Sequence, residues 1–133
     1  LPLENAIVSS PTVLTSYPLQ LDLPAGSLSL SLPPETVRDI QTALAQITEA
    51  LKAVALQTSS TERGNRPRPQ RPIEYQHTGQ VFLEIFCNPN IWPTPFAAKI
   101  LLSVRDDRLR ISSEIELVRL NECIDRYFEQ IPD

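Results

Sequence analysis

Hydrophobic and polar residues alternate strictly over two short stretches near the start of the chain. Leu19, Leu21 and Leu23 are separated by Gln20 and Asp22, while Leu28, Leu30 and Leu32 are separated by Ser29 and Ser31. A period of two places the leucines of each stretch on one face of a strand and the polar residues on the other. Pro24-Ala25-Gly26 lies between the stretches. Proline presets a bend, and glycine accepts the backbone angles of a tight turn. The pattern predicts an antiparallel hairpin with one dry face and one wet face. Leu1 to Ser16, which precede it, carry no clear period. Ala6-Ile7-Val8 and Thr12-Val13-Leu14 each suit a short added strand or an arm packed on a neighbour, and both assignments stay open.

The period then lengthens. Val37, Ile40, Leu44, Ile47, Leu51 and Val54 recur at intervals of three and four, which is one stripe of an amphipathic helix. Pro33-Pro34-Glu35 precedes the stripe. Proline suits the first helical position, and a carboxylate in the first turn complements the helix dipole. A helix is therefore predicted from about Pro34 to Gln57. From Thr58 to Pro72 no face can be buried: Arg63, Arg66, Arg68 and Arg71 are interleaved with Pro67, Pro69 and Pro72. That composition reads as an exposed, polyproline-like or disordered linker.

Pattern resumes in the second half. Val81, Leu83, Ile85 and Cys87 alternate with Phe82, Glu84 and Phe86, so this strand is apolar on both faces and is expected to be central. Asn88 to Pro95 reads as a stiff loop around Trp92. Lys99 to Arg105 and Arg108 to Ser112 flank Asp106-Asp107, which suits a hairpin turn because aspartate tolerates left-handed backbone angles. Ser113 and Glu116 have the spacing of a capping box. A final helix is expected from about Glu114 to Ile131, with Leu117, Leu120, Ile124, Phe128 and Ile131 on its buried stripe.

The halves share a plan. Leu28-Ser29-Leu30-Ser31 leads through Glu35 into Val37-Arg38, and Leu109-Arg110-Ile111-Ser112 leads through Glu116 into Val118-Arg119 at constant offset. This fits either a duplication or similarity imposed by a common ββα geometry.

Composition narrows the picture without naming a function. The 133 residues suit one domain. Thirteen prolines against three glycines imply stiff connections. A formal charge of −4 argues against bulk attraction to nucleic acid. Cys87 and Cys123 each sit in an apolar pattern and read as reduced core thiols. No apolar run has the length of a membrane span, and no signal peptide is visible, so a cytoplasmic protein is expected.

Candidate chemistry is sparse. The single histidine, His77, stands in a polar stretch before a strand and has no matched nucleophile or base. His77, Cys87 and Cys123 form no metal-binding spacing, so neither metal nor cofactor is expected. The paired carboxylates, Asp106 with Asp107 and Glu114 with Glu116, have structural reasons to exist as a turn and a helix start. The arginine–proline segment admits three readings: a docking strip for an acidic protein surface, a phosphate or nucleic-acid contact, or a solvated tether. The second is disfavoured by the acidic chain and the lack of interleaved aromatics. Trp92 suits an interface anchor or a lid folded onto the core.

From Lys99 to Gln130, the run Ile-Leu-Leu-Ser-Val-Arg, then Asp-Asp-Arg-Leu-Arg-Ile, then the helix, resembles small uncharacterised cyanobacterial proteins. In element order the second half is similar to the COMM domain, a dimerisation and adaptor module. The tryptophan of that domain's first strand has no counterpart between Val81 and Cys87, and no site residue is carried over.

The chain is thus expected to be a single α+β domain. Its antiparallel sheet has about five strands with two helices on one face, in the order ββα-linker-βββα, and residues 1–16 form a possible arm. The function expected is that of a non-enzymatic accessory or adaptor protein, a homodimer or assembly subunit. Its partner-binding residues would be Arg63, Arg66, Arg68, Arg71, Trp92, Phe82 and Phe86, and its partner a protein with an acidic surface. The alternative is a small regulatory domain binding an anionic ligand or nucleotide.

Overall fold

A computed structural model describes residues 15–59 and 69–132. The possible arm falls almost wholly outside the described residues, as do Arg63, Arg66 and Arg68. The alternating leucines form the predicted hairpin: strand β1 (Tyr17–Leu23) pairs with β2 (Gly26–Leu32) around Pro24-Ala25. The register sets Leu19 opposite Leu30 and Leu21 opposite Leu28, so the leucine face is continuous across both strands. Helix α1 (Pro34–Ser59) starts at the predicted proline and runs for 26 residues. The carbonyl of Pro33 accepts from the amides of Thr36 and Val37 and so closes its first turn. Its whole predicted stripe, from Val37 to Val54, is buried.

The expected single sheet of about five strands is instead two antiparallel sheets. One is the β1–β2 hairpin. The other has four strands in the order β3-β4-β5-β6, comprising β3 (Ile73–His77), β4 (Phe82–Cys87), β5 (Lys99–Arg105) and β6 (Arg110–Glu116). The hairpin stands apart for a physical reason. Pro18 has no N–H to extend a ladder beyond β1, and the C-terminal helix α2 (Leu117–Glu129) packs along that edge. Two of its side chains reach the strand: Gln130 Nε2 donates to the Pro18 carbonyl at 2.8 Å, and Arg126 pairs with Asp22 at 2.6 Å.

Strand β3 was not expected. Ile73, Tyr75 and His77 alternate with Glu74 and Gln76, but the stretch is polar and follows proline. It pairs with β4 from Ile73–Cys87 to His77–Leu83, so His77 ends a strand rather than preceding one. The capping box at Ser113 and Glu116 is also overturned. Both residues belong to β6, the Ser113 hydroxyl donates to the Glu114 carbonyl, and α2 begins only at Leu117 without a side-chain cap. Its first amide is taken by the Ala98 carbonyl at 3.0 Å. A tertiary partner thus does what the capping box was expected to do.

The core lies on the inner face of the four-stranded sheet. Leu83, Ile85 and Cys87 of β4, with Ile100, Leu102 and Val104 of β5, meet the stripe of α1, the hairpin leucines and α2. Tyr127 closes it. Its ring is almost wholly buried, lies edge-on to Tyr17 and Phe128, and its hydroxyl donates to the Leu32 carbonyl at the β2–α1 junction. Among the described residues no helix is long and apolar enough to cross a membrane.

Candidate functional site

The loop between β4 and β5 is the most strongly fixed irregular segment described. It holds two short 3-10 turns, Pro89–Ile91 and Pro95–Ala97. Asn88 Oδ1 accepts from the amide of Asn90 at 3.0 Å, and Thr94 Oγ1 accepts from Ala97 at 3.3 Å. Asn90 also grips the backbone that leads into β3: its Nδ2 donates to the Gln70 carbonyl at 2.7 Å, and its Oδ1 accepts from the Gln70 amide at 2.8 Å. Prolines restrict φ between these points, and the Ala98 carbonyl ties the far end to α2.

This bracing decides which apolar side chains face outward. Trp92 is half-buried and packs on the core, with its indole Nε1 enclosed and without a hydrogen-bond partner among the described residues. Of the two roles expected for it, this position is that of a side chain folded onto the core. Phe96 is 83% exposed and Ile91 63% exposed on the same loop. Beside the loop, Ala45, Ala50 and Ala53 of α1, with Gln70, line a shallow depression of about 480 Å³. Gln70 is bonded to Asn90, so the depression adjoins Ile91. Arg71, the one arginine of the expected strip among the described residues, is exposed next to Gln70.

Phe82 and Phe86 lie elsewhere. They alternate with buried Leu83, Ile85 and Cys87 and so face away from the core, on the outer side of the sheet. Both are half-buried. The Arg105 guanidinium lies 4.3 Å from the Phe82 ring centroid, and Phe86 sits opposite Leu101. The Asn90–Gln70 bonds thus place Arg71 beside the Trp92 loop, whereas the phenylalanine pair lies on the outer face of the sheet. Phe96 and Ile91 escaped sequence reasoning because nothing in a Pro-rich loop signals which apolar side chain turns inward.

Glu74 and Glu84 meet on the outer sheet face: a hydrogen bond to Glu84 raises the Glu74 pKa, while the Gln76 amide and Glu74 lower that of Glu84. Neither carboxylate pair singled out in the sequence comes together in this way. Asp106 instead organises its turn, accepting from the amides of Arg108 and Leu109 at 2.8 Å each, and these bonds lower its pKa. His77 points to the inner side, against Gly79, where an added Cβ would come within 2.9 Å of Nε2. Cys87 and Cys123 are free and buried, and burial pushes the Cys87 thiol up to about 11. Among the described residues no group of three or more histidine, cysteine or carboxylate side chains is placed to hold a metal.

A cleft of about 570 Å³ between the first hairpin and the start of α2 contains Lys99 and Arg119, but Asp22 and Glu116 line it too. Lys99 pairs with Glu114, and Arg119 with Glu122. The cleft thus has no net preference for an anion.

No protein-family model matches the chain, and neither a curated protein nor a solved structure matches it.

Proposed function

We propose that this protein works as an accessory or adaptor that binds another protein through the β4–β5 loop and the adjoining face of α1. The observation that carries this reading is the exposure of Phe96 and Ile91 on a loop braced at Gln70, at its own caps and at α2. An apolar side chain held out by a rigid loop loses little conformational freedom on binding, and aromatic anchors of this kind dominate interface energetics. Arg71 beside the loop favours a partner with an acidic surface, and the neighbouring Arg63, Arg66 and Arg68 extend the same charge along the chain. The rival reading, an anionic small ligand, is disfavoured by the cleft that holds Lys99 and Arg119, because Asp22 and Glu116 line it too.

The test is affinity capture from a native lysate with three baits: wild type, Ile91→Ser/Phe96→Ser, and a variant with all four arginines changed to glutamate. The reading expects a protein recovered by wild type and lost with the loop variant, while thermal unfolding of that variant stays at the wild-type temperature. Recovery should also fall as salt rises. Identical recovery by all three baits would overturn it.

A further inference from the structure

Among the described residues strand β2 has one hydrogen-bonded neighbour, β1, and no strand pairs with its other edge. The open groups follow from the pairing. Pro18 has no N–H to exchange with its partner Ser31, and its carbonyl turns away to accept from Gln130. Pro18–Ser31 is therefore a non-hydrogen-bonded pair, and the period of two makes Gln20–Ser29 and Asp22–Ser27 the same. The backbone N–H and C=O groups of Ser27, Ser29 and Ser31 consequently point outward from the hairpin, and all three serines are exposed.

The other edges are guarded. The outer edge of β1 carries Pro18 and Asp22 and is covered by α2. The edge strand β6 carries Arg110, Glu114 and Glu116, and β3 carries Glu74 and lies near α1. Between Gly26 and Leu32 there is no charge and no proline, which is the composition of an edge that accepts another strand. A groove of about 260 Å³ runs along it, walled by Leu28 and Leu30 on one side and by Val81, Leu109 and Ile111 on the other. Leu109 is 66% exposed there.

We propose that a second copy of this chain occupies the edge, pairing β2 with β2 antiparallel about a two-fold axis at Ser29. The segment is self-complementary in that register. Ser29 faces the partner's Ser29, Ser27 faces the partner's Ser31, and Leu28 faces the partner's Leu30. Every outward backbone group then meets another outward group, each facing serine pair exchanging two bonds. The leucines of both copies stay on the core-facing side. Each two-stranded hairpin, a marginal unit by itself, becomes one half of a continuous four-stranded sheet with the two β2 strands at its centre. Strand β2 itself carries no charge, and the two charged residues that also line the groove, Arg105 and Asp106, are of opposite sign.

Sedimentation equilibrium of the full chain over a low-to-high micromolar series tests this with two variants. Ser29→Pro removes an N–H that the β1–β2 ladder does not use, so the hairpin keeps its bonds while both central intermolecular donors are lost. Its dimer dissociation constant should rise by at least about tenfold. Ser29→Lys places like charges directly opposite each other and should weaken the dimer in low salt and less so in high salt. Wild-type thermal unfolding of the lysine variant at a concentration where both are monomeric shows that the fold is intact. Ile91→Ser/Phe96→Ser should leave the dimer unchanged, which separates this surface from the partner-binding loop. A wild-type chain that stays monomeric, or a dimer indifferent to both Ser29 variants, overturns the assignment. The latter outcome would place self-association on another face.

Discussion

Two hairpin–helix units flank strands β3 and β4 among the described residues, and each helix packs mainly outside its own hairpin. In the first, β1 and β2 lead through Pro33 into α1, which lies against β3 and the β4–β5 loop of the other sheet. In the second, β5 and β6 run without a break into α2, which packs chiefly along β1 of the first hairpin. The residues that match at constant offset do not share environments. Val37 is fully buried whereas Val118 is 42% exposed, and Leu30 is buried whereas Ile111 is not. The halves are thus alike in element order but not in packing. The hairpin leucines, the α1 stripe, the four-stranded sheet and α2 share one core, so unfolding should be a single cooperative transition.

The sharpest way to break this comparison is to put a charge at the two matched valines. Val37→Asp buries an unpaired carboxylate and should cost more than about 4 kcal/mol, enough to unfold a domain of ordinary stability. Val118→Asp sits in the exposed first turn of α2, where a carboxylate suits the helix dipole, and should stay within about 0.5 kcal/mol of wild type. Urea unfolding of both variants measures the contrast; equal effects would restore the repeat as a repeat of packing.

Next comes the joint between the units. Tyr127→Ala empties the site where α2, Tyr17 and the β2–α1 junction meet and should cost about 3–5 kcal/mol. Tyr127→Phe removes only the bond to the Leu32 carbonyl and should cost about 1 kcal/mol. Both should lower a single urea midpoint rather than split the transition in two. A two-step curve would mean that the units are separable.

The Asp22–Arg126 pair should have a smaller effect, visible as pH dependence. Arg126 holds the Asp22 carboxyl below its ordinary 3.8. A depressed folded-state pKa contributes stability that is present above the unfolded value and lost as pH falls through the folded one. Asp22→Asn should therefore flatten the loss of stability below about pH 4, and high salt should do the same to wild type. An acid-unfolding profile unchanged by the substitution would show the contact to be idle. The smallest effect is expected at Trp92. Trp92→Phe removes an enclosed indole N–H that has no partner among the described residues, which offsets the lost ring volume, and should shift stability by no more than about 1 kcal/mol. A larger loss in urea unfolding would mean that the N–H has a partner.

Much of the secondary structure was legible because burial leaves a period in the residues. The leucines of the hairpin, the stripe of α1, and the β4 and β5 strands all carry it. Three features did not. Strand β3 is short and polar, so its pairing with β4 rather than its own composition makes it a strand. The Ser113–Glu116 spacing satisfies the local rule for a helix start, yet pairing with β5 holds those residues extended. Tyr127 was absent from the expected stripe because its hydroxyl finds a partner, Leu32, that is distant in the chain. In the candidate site, the stiffness of the Asn88–Pro95 loop was legible from its prolines, but the choice between Trp92 and Phe96 as the exposed aromatic was not.

By itself the sequence determined the faces of the elements, since the interval between apolar residues depends only on strand or helix geometry. It also determined the leucine–serine alternation that leaves β2 neutral. Only the tertiary structure decided that the strands divide into two sheets, that each helix covers the other half, and which apolar side chains stay in solvent. Those outcomes depend on which surfaces meet, and that is set by packing between residues far apart in the chain, for which a local pattern holds no record.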